Sequence, residues 1–118
     1  MKKFSENTYK LDFLLINMHY AKRKRGTMEI MLEILKSCED QCGITKVIYG
    51  AGVNYLVAQK YVDQLVKIGA LNVKIDGERK YYVITEKGKI LKGHIEQFLK
   101  LRQDLDEVRS KVLELLRQ

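Results

Sequence analysis

Residues 44–88, ITKVIYGAGVNYLVAQKYVDQLVKIGALNVKIDGERKYYVITEKG, change their apolar period halfway along. Over 54–68, Val57, Tyr61, Leu65 and Ile68 recur at steps of three and four, the spacing of one helix face. Asn54 is a residue type that caps helix N-termini, and Gly69 fits the left-handed position just past the end. Tyr55, Gln59, Asp63 and Lys67, each four residues apart, share the other side. Before this helix, 44–49 forms a shorter one, stopped by a turn at Gly50 and Gly52. After Gly69 the period falls to two. Residues 71–75 and 80–84 are β-prone runs joined by Asp76-Gly77-Glu78-Arg79, whose Asp-Gly pair signals a hairpin.

Working outward, Thr27 is a plausible cap for a helix carrying Ile30, Met31, Ile34, Leu35 and Cys38, which should stop near residues 40–43. On the other side Thr85 caps a long helix from Glu86 to Leu116. The chain contains no proline, so Gly, Asn, Asp and Thr supply the punctuation. The order helix, helix, helix, hairpin, helix, with a tight turn before the third helix, is that of a winged helix-turn-helix. The fold class is therefore mainly α, with a small β part. Residues 1–26 form an N-terminal extension with a basic arm, 27–88 the winged domain, and 86–118 a further helical element. Within the extension, residues 9–20 fit two periods: Leu11, Leu14 or Leu15 and Met18 suit a helix, the reading preferred, while Tyr9, Leu11, Phe13 and Leu15 suit a strand.

The last helix has a second task. Thirty-one residues at ~1.5 Å each span roughly 46 Å, whereas a core of ~85 residues has a radius of gyration near 12 Å. Its apolar positions are Leu91, Ile95, Phe98, Leu101, Leu105, Val108, Val112 and Leu115. They follow a heptad seam with one phase slip at Phe98 and Leu101. Such a stripe left in water is an aggregation hazard, and residues 94–118 balance five basic against five acidic side chains. A two-helix coiled coil between subunits follows. The alternative is that the stripe folds back on its own domain or on residues 9–20.

The 118 residues carry 22 Lys and Arg against 15 Asp and Glu, a net charge of +7. At 46% hydrophobic residues the chain can build a core. No apolar run approaches the ~18–20 residues of a membrane span. Residues 11–18 contain Asp12 and Asn17 and lack a small-residue cleavage site, which argues against a signal peptide. The expectation is a small, soluble, basic protein of the cytoplasm. Residues 1–26 alone hold seven basic and two acidic side chains, with Lys22, Arg23, Lys24 and Arg25 adjacent. Four neighbouring cations call for a polyanion; the alternative is a solvated linker.

Several stretches resemble the archaeal 10a-type DNA-binding proteins, small basic chromatin-associated proteins of Sulfolobus and its relatives. These are KRGTMEIMLE (24–33), TKVIYGAGVNY (45–55), residues 61–69 and YVITEKG (82–88). The TKxxYGAxxxY signature is the most specific of them; YxxTxKG is shared by many winged helices. The likeness covers residues 22–118 and leaves 1–21 outside. It implies a winged-helix domain, an antiparallel coiled-coil homodimer built by the last helix, and binding of double-stranded DNA with little sequence preference. It also implies a nucleoid role, bridging or coating DNA.

Candidate DNA-binding residues are the basic cluster Lys22, Arg23, Lys24 and Arg25, with Tyr55, Gln59 and Lys60 on the helix after the tight turn. Asn54 is read first as a cap, its amide also able to meet a phosphate. Arg79 and Lys80 follow the hairpin turn, partly cancelled by Asp76 and Glu78, and Lys46 is a lesser backbone candidate. Ordinary packing is the alternative for Tyr55, and a plain surface turn for the hairpin tip. The helix after the tight turn lacks an Arg to grip guanine, and its Asp63 would repel a backbone placed nearby, so weak sequence specificity is expected. Cys38 and Cys42 lack the spacing and partners of a zinc site, since only His19 and His94 add nitrogen ligands. They are read as reduced thiols, with a disulfide the alternative in a hyperthermophile. No catalytic constellation or cofactor loop is evident, so the chain reads as a binding protein and not an enzyme. Three functions compete: a low-specificity nucleoid protein, a gene-specific regulator of a palindromic operator, and a dimeric interaction module that does not bind DNA.

Overall fold

A computed structural model describes residues 26–117. The basic cluster Lys22, Arg23, Lys24 and Arg25 and the expected helix at 9–20 lie outside the described residues. Helices α1 (Thr27–Ser37), α2 (Ile44–Ala51) and α3 (Tyr55–Lys67) precede strands β1 (Leu71–Asp76) and β2 (Arg79–Ile84), and helix α4 (Glu86–Leu116) ends the chain. This is a winged helix-turn-helix with a long C-terminal helix. Among the described residues no helix is long and apolar enough to cross a membrane.

The described residues fall into two compact units, Thr27–Leu99 and a second that takes in α4 from Lys100 onward. The core of the first gathers Ile34, Leu35, Val47, Ala51, Ala58, Val62, Leu65, Leu71, Tyr82 and Ile84. Its last contributors come from α4, where Ile95 is buried and Leu91 and Leu99 pack beside it. The unit thus runs past the boundary expected at Gly88. Leu91 and Ile95, expected in the coiled-coil seam, are taken up by the chain's own core instead.

Local signals account for the joints. Asn54 caps α3, its Oδ1 accepting from the Val57 amide at 2.9 Å, and Gly69 turns the chain at φ +84°. Helix α2 runs two residues beyond the expected Tyr49, so Gly50 lies inside it and Gly52 takes the cap. Thr27 is the first helical residue and not a cap; its hydroxyl meets the Tyr61 hydroxyl at 3.3 Å. The hairpin pairs Asp76 with Arg79, leaving Gly77 and Glu78 as a two-residue loop. Gly77 has φ +65° and Glu78 is not in the positive-φ region, the pattern of a type II′ turn. Asp76 and Arg79 therefore end the two strands as the outer residues of the turn, with Gly77 and Glu78 at its centre.

The stripe read along α3 is partly out of phase. Leu65 is buried as expected and faces the core with Ala58 and Val62, while Val57 and Tyr61 are half-buried and Ile68 is exposed. The centre of the buried face is thereby rotated by ~70°.

The two cysteines are also corrected. Cys38 and Cys42 form a disulfide with Cα atoms 4.8 Å apart, and both are buried. Cys42 exchanges two backbone hydrogen bonds with Tyr82 of β2, at 2.9 and 2.8 Å, and the Cys38 carbonyl accepts from the Ile84 amide at 3.0 Å. The bridged loop so acts as a short third strand that holds the root of the wing.

Thr85 locks the start of α4. Its hydroxyl donates to the Gly69 carbonyl at 2.6 Å and accepts from the Gly88 amide at 3.0 Å, while its own amide donates to the Ala70 carbonyl. This brings α4 so near the α3–β1 connection that a Cβ on Gly88 would collide with the Ala70 carbonyl and with Ile84. Gly88→Ala gains up to ~1 kcal/mol in helix propensity but overpacks against backbone, at ~3 kcal/mol. The net loss of about 2 kcal/mol should lower the melting temperature by roughly 10 °C. Thermal unfolding followed by circular dichroism checks this; an unchanged midpoint would mean the contact yields without cost.

Candidate nucleic-acid interface

The outward face of α3 is set by its core face. With Ala58, Val62 and Leu65 inward, the helical period directs Leu56, Lys60, Asp63 and Lys67 outward. All four are exposed. Tyr55 is exposed on the flank, which excludes ordinary core packing for it. Gln59 is half-buried and donates from Nε2 to Asp63 Oδ1 at 2.8 Å. Lys60 leans back, its Nζ 5.4 Å from the centre of the Tyr61 ring. Because Tyr61 also meets Thr27, the chain enters the domain beside α3.

The wing divides its two cations. Alternation along the ribbon puts Lys80 on the face of Ile75, its cross-strand partner, and of the buried Leu71, Tyr82 and Ile84. Arg79 lies on the other face with Asp76, Tyr81 and Lys74. There Asp76, Arg79 and Tyr81 line a shallow polar hollow against Gln41, Cys42 and Gly43. Lys46 reaches the same neighbourhood, its Nζ donating to the Gln41 carbonyl at 3.3 Å. Arg79 and Lys46 are thus gathered at the start of α2, while Lys80 and Lys60 are not part of that group.

Three exposed residues are missing from the DNA-binding candidates read in the sequence. Leu56 belongs to the outward face of α3 but is apolar, and Lys67, already placed on that side, is not among the expected DNA contacts. Lys74 shares the Arg79 face, which alternation in the strand could have revealed. Tyr49, at the end of α2, is also largely exposed, although it belongs to the TKxxYGAxxxY signature. A tyrosine left in solvent does no work for the core. Among the described residues no group of His, Cys, Asp and Glu is arranged to hold a metal ion.

On the outer part of α4, Leu101, Leu105, Val108, Val112 and Leu115 are 49–70% exposed, and Phe98 is exposed as well. With Ile95 withdrawn into the core, His94 is the exposed residue that continues the seam. The steps from His94 through Phe98, Leu101, Leu105, Val108 and Val112 to Leu115 then alternate four and three throughout. The phase slip disappears, because α4 carries two stripes: Leu91, Ile95 and Leu99 inward, and the heptad series outward.

The winged helix-turn-helix sequence family matches residues 24–103. No curated protein sequence matches the chain. Among solved structures, Sso10a-2, a DNA-binding protein from Sulfolobus solfataricus, is 65% identical over 80% of this chain and 99% of its own, with a TM-score of 0.77. The transcriptional regulator BldR from the same organism shares 21% identity over 75% of this chain and 69% of its own, with a TM-score of 0.56. A MarR family transcriptional regulator from Silicibacter pomeroyi shares 17% over 98% and 82%, also at 0.56. The last two share the fold alone. Its signature residues, its wing and its long terminal helix, together with this identity to Sso10a-2, make the chain a member of the archaeal 10a-type branch of the winged helix-turn-helix family.

Proposed function

We propose that this protein binds double-stranded DNA with low sequence specificity and coats or bridges it as a homodimer formed through α4. DNA binding is supported by the Sso10a-2 relative, itself a DNA-binding protein. Low specificity rests on one observation: the amide side chains at the leading end of α3 suited to reading bases are engaged within the chain. Gln59 is held by Asp63, the Asn54 carbonyl oxygen is used by the cap, and α3 contains no arginine. What remains for DNA is charge. Lys46, Lys60, Arg79, Lys80 and the sequence cluster Lys22, Arg23, Lys24 and Arg25 neutralise phosphates, a contribution blind to sequence. Dimerisation is supported by the uninterrupted exposed heptad from Phe98 to Leu115, which a second copy of the same helix would cover. A nucleoid role is the one that indiscriminate contact between such dimers and the genome would serve.

Titration onto an operator-like palindrome and onto scrambled duplexes of equal length tests the reading. Affinities within about tenfold of one another are expected. A gene-specific regulator would prefer one site by ~10³ or more, and a gap of that size would replace this reading with the second one.

A further inference from the structure

The outward face of α3 presents an apolar side chain where a polar reader is usual. Leu56 is the second residue of the helix and 76% exposed. Burial explains nothing about it, since Ala58, Val62 and Leu65 supply the core contact of α3. Lys60 and Lys67 lie on the same face one and three turns further on, with Asp63 between them, so the face keeps a net positive charge that favours a polyanion over a second apolar protein surface. In helix-turn-helix proteins the N-terminal residues of this helix meet the base edges of the major groove. Only one base presents an apolar group there: thymine, through its 5-methyl. Against guanine or cytosine, Leu56 would strip water from polar edge atoms and offer them no hydrogen bond.

We propose that Leu56 reads the thymine 5-methyl group, giving an otherwise indiscriminate DNA binder a shallow preference for A·T pairs in either orientation. The inference rests on the DNA-binding reading above and deepens it. Asn54 and Gln59, the amides near the start of α3 able to read adenine in a bidentate manner, are engaged by Val57 and Asp63, and the exposed Gln64 lies about two turns beyond Leu56, so methyl contact is the base-edge chemistry that Leu56 adds at the leading end of this helix. The contact is hydrophobic and persists at salt concentrations that weaken the lysine contacts.

Replacing thymine by deoxyuridine removes the methyl group and keeps the base pairing. Binding of the full-length protein and of Leu56→Ala is measured on an A·T-rich duplex and on its all-uracil counterpart. The wild type should bind the uracil duplex about fourfold more weakly for each methyl it contacts, the effect of one buried methyl-sized group. Leu56→Ala, altered at an exposed position, should bind both duplexes alike. Equal affinity of the wild type for the two duplexes overturns the inference and leaves general DNA binding intact. Discrimination that survives in Leu56→Ala also overturns it, assigning the effect to duplex shape. Binding to neither duplex removes the underlying DNA-binding reading with it.

Discussion

Glutamate at both Leu105 and Val108 is expected to convert the protein from dimer to monomer. Both side chains are about half exposed in the single chain, and both belong to the heptad series that α4 leaves uncovered. In an antiparallel pairing of the stretch from Phe98 to Leu115 with its own copy, the midpoint falls between residues 106 and 107. Leu105 of one helix then meets Val108 of the other, and the double substitution gathers four carboxylates around the two-fold axis. An unpaired charge buried in such a seam costs several kcal/mol, and four close together repel one another as well. The winged domain should stay folded, since its core draws on α4 only as far as Leu99. Sedimentation velocity together with circular dichroism measures both effects. A dimer that persists in the double variant places the interface elsewhere, and the seam reading fails.

The same helix shows where sequence reasoning reaches its limit. Thr85 as a cap and a helix from Glu86 to Leu116 were readable directly, because capping and the absence of breakers are local properties. The assignment of its apolar residues to two stripes was not. Leu91, Ile95 and Leu99 face one way and Phe98, Leu101 and Leu105 another, and a one-dimensional pattern blends them into a single seam with a slip. The α3 error has a related origin. Ala58 contributes little to an apolar period but fills a tight site in the core, whereas Tyr61 and Ile68 contribute much and lie partly or mainly in solvent. Leu56 is outward under either phase and was passed over because it is apolar. Asn54, Gly69 and the hairpin were legible for the same local reason as Thr85. The Cys38–Cys42 bridge was not, because a four-residue separation permits a disulfide without requiring one. Among the DNA-binding candidates, residue type and exposure were legible, but the grouping of Arg79 with Lys46 depends on the loop that the bridge holds against β2.

That grouping bears on how the wing meets DNA. If Arg79 and Lys80 each neutralise one phosphate, each contributes roughly 0.9 to the slope of log affinity against log salt. Alanine at both positions should then flatten the slope by about two for each winged domain engaged. Over a rise from 50 to 200 mM salt, the wild type should lose roughly tenfold more affinity than the variant. The loss at low salt should be similar on every duplex, because phosphates carry no sequence. The ribbon adds a geometrical condition. Arg79 and Lys80 leave it on opposite faces, so both reach phosphates only when the tip enters a groove with a strand on either side. Single substitutions report this directly: two slopes each reduced by about one describe a tip between strands. A change for Arg79 alone describes a ribbon lying with its Lys46 side against one backbone. An unchanged slope in the double variant would remove the wing from the interface altogether, leaving α3 and the basic arm to carry the binding.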